Sequence, residues 1–232
     1  MDLNTLKGHL IVSCQALPDE PLHSSYIMSR MAKAAESAGA AGIRANSMID
    51  ILAIREVVSL PMIGIIKREY PGSPVYITPT SLEIDQLAAC GVEIIAMDAT
   101  NHPRPEMPLA ELIAYARAKY PQILLMADTA TVTEALQAQQ LGFDIIGTTM
   151  HGYTAETQGQ NIADNDFAYL KQLIPAVTKP VITEGKIDTP EKARRALDLG
   201  AFAVVVGGAI TRPQQITKRF VAAIDQPEEQ EA

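Results

Sequence analysis

The chain has 232 residues, 47% of them hydrophobic and 20% charged, the balance of a globular protein that buries one large core. A net charge of −8 argues against nucleic-acid binding through phosphate neutralisation, and no basic run with interleaved aromatics offsets it. No apolar run approaches the length needed to cross a bilayer, so no membrane partner is expected.

Eight apolar runs rich in β-branched residues alternate with helical stretches along the chain. Parallel strands need a crossover about a dozen residues long, so this alternation predicts βα units and a parallel sheet. Eight such units closing on themselves give a single-domain (β/α)8 TIM barrel over residues 1–225, with 226–232 expected as a disordered acidic tail. In that fold the carboxyl ends of the strands converge on one face, which gathers residues distant in sequence around one pocket.

The first strand is predicted at His9–Ser13, followed by Cys14, Gln15 and a helix over Ser25–Ala38 that Gly39 stops. The second, Gly42–Ala45, contains Arg44, and a helix over Met48–Val58 follows. The third, Met62–Ile66, is an unbroken apolar run ending at Lys67. The irregular stretch after it holds Pro71, Gly72, Pro74 and Pro79 and is a candidate to fold over a ligand. Thr80 with Glu83 and Thr131 with Glu134 have the spacing of capping boxes that open helices. The fourth strand, Glu93–Met97, ends at Asp98, and the prolines of Asn101–Pro105 delay the next helix to about Pro108. The fifth, Ile123–Ala127, ends at Asp128. The sixth, Asp144–Gly147, precedes a polar segment, Thr148–Asn165, long enough to suggest a functional loop. The seventh, Pro180–Thr183, ends in Glu184 and Gly185. The eighth, Ala203–Val206, runs into Gly207, Gly208 and Arg212.

Glycines after both the seventh and eighth strands let backbone approach an anion closely, and their place in the barrel favours a phosphate site over a plain tight turn. Arg212 serves either that site or a surface ion pair. Lys67, its stem packed by an apolar strand, suits direct proton transfer or a Schiff base, and the residue alone does not choose. Glu184 lies on the predicted catalytic face. Asp128 suits catalysis, substrate orientation or capping of the loop that follows it, whereas Asp98 reads better as structural. The four histidines do not fall at matching strand ends, so no metal is expected. Cys14 and Cys90 suggest no disulfide framework. With no charged-plus-apolar leader before Gly8, they point to a cytoplasmic chain with free thiols, Cys14 being a small packed one.

Several segments in this order resemble the bacterial N-acetylmannosamine-6-phosphate 2-epimerases. They are Ser13–Ala16, Gly42–Asn46, Ile63–Arg68, Ile77–Thr80, Asp98–Thr100, Met126–Asp128, Gly147–Thr149, Gly152–Thr154, Thr183–Gly185 and Gly208–Pro213. The resemblance implies a barrel isomerase of sialic acid catabolism, acting on a small sugar phosphate. Lys67 and Glu184 would form its acid-base pair; Gln15, Arg44, Asp128 and Tyr153 would position the sugar; Gly185, Gly207, Gly208 and Arg212 would hold the 6-phosphate. It also implies no cofactor and a homodimer. His151, where the family often has serine, and His102, where arginine is common, depart from the pattern. Two rival readings are a Schiff-base aldolase built on Lys67 and a noncatalytic phosphate-binding barrel.

Overall fold

The computed structural model describes residues 1–225, so the expected tail at 226–232 lies outside the described residues. Eight parallel strands close into a barrel in sequence order, each paired with the next and β1 with β8. They are β1 Leu10–Cys14, β2 Gly42–Asn46, β3 Met62–Ile65, β4 Ile94–Asp98, β5 Leu124–Asp128, β6 Ile145–Gly147, β7 Val181–Thr183 and β8 Ala203–Val206. Around them run α1 Ser25–Ser37, α2 Met48–Arg55, α3 Ser81–Ala89, α4 Leu109–Lys119, α5 Val132–Leu141, α6 Asp164–Ala176 and α7 Pro190–Asp198. The one-turn α8 (Gly208–Thr211) and then α9 (Pro213–Ile224) complete the described chain. Both predicted capping boxes are formed, at Thr80–Glu83 and Thr131–Glu134.

Strand side chains alternate between two cores, as a period of two demands. Ile11, Ile63, Ile65, Ile94, Met126, Ile145, Ile182 and Val205 fill the barrel interior. Val12, Ile43, Met62, Ile95, Leu125, Ile146, Val181 and Val204 face the helices instead. A residue two positions past an interior residue therefore points to the barrel axis at the carboxyl end, which is how the fold aims its polar groups.

The 67–80 segment, predicted as a loop over a ligand, turns back and becomes part of the wall. Strands β3 and β4 pair only through Ile63–Ile94 and Gly64–Ile95. Beyond that, Thr78 fills the seam. Its N–H donates to the Ile66 carbonyl at 2.8 Å, and its hydroxyl accepts from Ile66 N–H at 3.3 Å while donating to the Ala96 carbonyl at 2.7 Å. Lys67 forms an antiparallel bridge with Ile77, so the returning chain braces the backbone that carries this lysine.

Candidate active site

Gln15, Arg44, Lys67, Thr149, Glu184 and Gly207 all carry the interior parity, and all line one cavity of about 830 Å³ at the carboxyl face. Strands β3 and β7 stand four apart in an eight-stranded cylinder, so Lys67 and Glu184 reach that cavity from opposite walls.

Arg44 organises the floor. Its side chain is buried, 1% exposed, and both terminal nitrogens grip Asp128, at 2.6 Å and 3.1 Å. One of them also reaches Glu184 Oε2 at 2.9 Å. Burial works against this guanidinium, but the charges of Asp128 and Glu184 outweigh it and push its pKa up. Asp128 is itself fully buried and does not line the cavity, so it acts on the cavity through Arg44. The Thr149 hydroxyl lies 2.6 Å from Asp128 Oδ1 and 3.2 Å from Glu184 Oε2 and joins the two carboxylates. Thr148 fixes the backbone of Glu184 by donating to its carbonyl at 2.7 Å and accepting from its N–H at 2.9 Å.

Lys67 is half-buried, and burial followed by the charges of Arg44 and Arg212 lowers its pKa from the ordinary 10.5, against the pull of Glu184 and Asp128. Burial raises the pKa of Glu184 above the ordinary 4.5 despite Arg44 beside it. Both shifts run toward the uncharged form of the group concerned. Gln15 is buried, its amide donating to Ser13 Oγ at 2.8 Å, and its Oε1 has no partner among the described residues. Arg44 Nε is likewise buried and unpaired. Orphaned polar atoms beside a cavity are the mark expected of a ligand's polar groups.

The cavity lining is also basic. Gly185, Gly207, Gly208 and Arg212 converge there, as the sequence suggested, joined by Lys186, Lys218 and Arg219. Six basic side chains against two acidic ones line the whole cavity, in a chain whose net charge is −8. Such local inversion of charge suits an anionic ligand. Gly185 has φ +108, a conformation reserved for glycine, and so turns the chain sharply after Glu184. Arg212 lines the cavity and also donates to Glu20 at 2.9 Å. Tyr153 lies at the rim, exposed, with the Lys186 ammonium 5.4 Å from its ring centre.

Sequence reasoning gave Tyr76, Lys186, Lys218 and Arg219 no role, and placed Thr149 only in the polar cluster that ends the sixth strand. Thr149 follows β6 with interior parity, a signal open to a reader who tracked parity; Lys218 and Arg219 are ordinary surface residues until α9 lays them along the rim. Asp98 is structural as expected, its Oδ1 accepting from Thr100 N–H at 2.8 Å and Thr100 Oγ1 at 2.6 Å. Cys14 faces the helices, buried, and burial, then Asp50, pushes its thiol up to about 12. His151, in the loop after β6, is buried and stacked on Tyr169 with ring centres 4.0 Å apart, and its Nδ1 lies 2.9 Å from the Ala130 carbonyl. His102 pairs with Glu156 at 3.3 Å, outside the cavity.

A family model described as "Putative N-acetylmannosamine-6-phosphate epimerase" matches residues 28–226. A protein of Lactiplantibacillus plantarum named "Putative N-acetylmannosamine-6-phosphate 2-epimerase" is 63% identical over 96% of this chain and 98% of its own. One from Enterobacter sp. with the same name is 62% identical, over 96% of this chain and 95% of its own. The solved structure of the N-acetylmannosamine-6-phosphate 2-epimerase from Clostridium perfringens matches with a TM-score of 0.90 at 52% identity, covering 95% of each chain.

Proposed function

Because the chain belongs to the N-acetylmannosamine-6-phosphate epimerase family, we propose that it interconverts N-acetylmannosamine 6-phosphate and N-acetylglucosamine 6-phosphate by proton transfer between Lys67, C2 of the sugar and Glu184. The observation that carries the mechanism is the placement of these two groups on opposite walls of one cavity. Inverting a carbon by proton exchange requires removal from one face and return to the other. Ring opening to the aldehyde acidifies the C2 proton; neutral Lys67 takes it, and protonated Glu184 delivers one from the far side. The resulting ammonium and carboxylate are the starting pair for the reverse reaction, so each protonation state serves one direction.

Gln15, Arg44 and Tyr153 hold the sugar and its N-acetyl group in this reading, with Asp128 keeping Arg44 in place. Gly185, Gly207, Gly208 and Arg212 take the 6-phosphate, supported by the basic lining of the cavity. Phosphate binding far from C2 supplies positioning energy, so the dephosphorylated sugar loses rate as well as affinity. No cofactor takes part in this reading. We place the reaction in sialic acid catabolism in the cytoplasm, carried out by a homodimer. For the dimer, support comes from α9, which buries none of its residues and exposes Phe220, Val221 and Ile224.

Proton NMR of N-acetylmannosamine 6-phosphate in deuterated buffer tests the reaction. Loss of the C2 signal with growth of the glucosamine epimer is expected, and Lys67→Ala or Glu184→Gln should each lower the rate by about 10²–10⁴. A borohydride-trapped adduct on Lys67 without C2 exchange would favour an aldolase and overturn the reading, as would full turnover in either variant.

A further inference from the structure

We propose that Thr149 is a positioning residue whose one hydroxyl proton moves between Asp128 and Glu184 as Glu184 changes charge during turnover. The inference rests on the reading of Glu184 as an acid-base group and deepens it. A threonine hydroxyl has a single proton to donate and lone pairs that accept. Its oxygen stands 2.6 Å from Asp128 Oδ1 and 3.2 Å from Glu184 Oε2, so it cannot donate to both. The shorter contact puts the proton on the Asp128 side, which turns a lone pair toward Glu184. That arrangement repels a carboxylate and welcomes a carboxylic acid. Glu184 Oε2 also accepts from Arg44 Nη1 at 2.9 Å, and a protonated Glu184 is the form that suits the lone pair Thr149 offers it.

Once Glu184 has given that proton to the substrate, the relation inverts. The hydroxyl rotates and donates to the new carboxylate. Asp128 can release it because both its oxygens remain bonded to Arg44, at 2.6 Å and 3.1 Å. No backbone atom has to move, though the hydroxyl oxygen draws back from its 2.6 Å contact with Asp128 once no proton lies between them. Nor is Thr149 needed to place the Glu184 backbone, since Thr148 already holds both its N–H and its carbonyl. What Thr149 adds is a partner suited to each charge state of the acid.

The test compares Thr149→Val, which keeps the shape and deletes the hydroxyl, with Thr149→Ser, which restores it, following kcat and kcat/KM against pH and checking each fold by its melting temperature. A carboxylate loses more than a carboxylic acid when a donor is removed, because charge-assisted bonds are the stronger. T149V should therefore lower kcat about tenfold and move the alkaline limb, where Glu184 loses its proton, upward by about one pH unit. T149S should restore both. A fall in kcat with an unmoved limb, or a T149S enzyme as impaired as T149V, would overturn the inference. With Glu184→Gln inert, that result sinks the role of Thr149 alone; full turnover in E184Q sinks the reading of Glu184 and this inference with it.

Discussion

Removing Asp128 should cost far more than an ion pair usually does, and removing its partner as well should restore most of the loss. Arg44 and Asp128 are 1% and 0% exposed and meet at 2.6 Å, so neither charge has water to fall back on. Asp128→Leu leaves the guanidinium with no carboxylate but Glu184, whose raised pKa makes it a weak counter-charge. Breaking such a buried pair costs about 3–5 kcal/mol, against about 0–1 kcal/mol for an exposed one. In a domain of this size each kcal/mol is about 2–4 °C, so the melting temperature should fall by about 6–20 °C. The double variant Arg44→Met/Asp128→Leu buries no unpaired charge at these two positions and should return to within about 2 kcal/mol of the parent by urea titration. It should nevertheless be inert, since Arg44 no longer steadies Glu184. An Asp128→Leu cost below about 1 kcal/mol, or a double variant no more stable than the single, would refute the reasoning.

The pH profile of kcat/KM should be a bell: activity appears as pH rises through the lowered pKa of Lys67, below 10.5, and fades as it passes the raised pKa of Glu184, above 4.5. A profile with no acid limb would exclude Lys67 as the base. Both thiols, buried and with raised pKa values, should resist a disulfide reagent until urea unfolds the chain; labelling of the native protein would contradict their packing. Gly152→Ala should cost about 1–3 kcal/mol by urea titration, because residue 152 has φ +86 and an added Cβ runs into the Gln160 carbonyl oxygen. An unchanged midpoint would mean that the 150–160 segment has room to shift.

The barrel was legible because its strands are apolar runs of regular spacing, and the site was legible to the extent that strand ends are. Parity sharpens this. Cys14 and Gln15 are neighbours at the end of β1, yet one faces the helices and the other the cavity, as their offsets from Ile11 require. Depth along the strand was not legible. Asp98 and Asp128 are register partners on β4 and β5 with the same parity, but Thr100 occupies one and Arg44 the other. Those partners arrive from a loop and from a strand 84 positions away, and no local pattern announces them. The prolines of the 67–80 segment announced irregularity, which is correct. That Thr78 would close the seam between β3 and β4 depended on how short their pairing is, a property of the closed cylinder.

The same ionic cluster ties the two halves of the sequence together. Arg44 belongs to the first half of the chain, while both its counter-charges belong to the second. As the polypeptide leaves the ribosome, everything through β4 emerges with a guanidinium and neither carboxylate. A half-cylinder that docked its helices at that point would bury a lone cation, at a cost of several kcal/mol. Fragments made by splitting the gene between the halves are therefore expected to favour each other's company over independent folding.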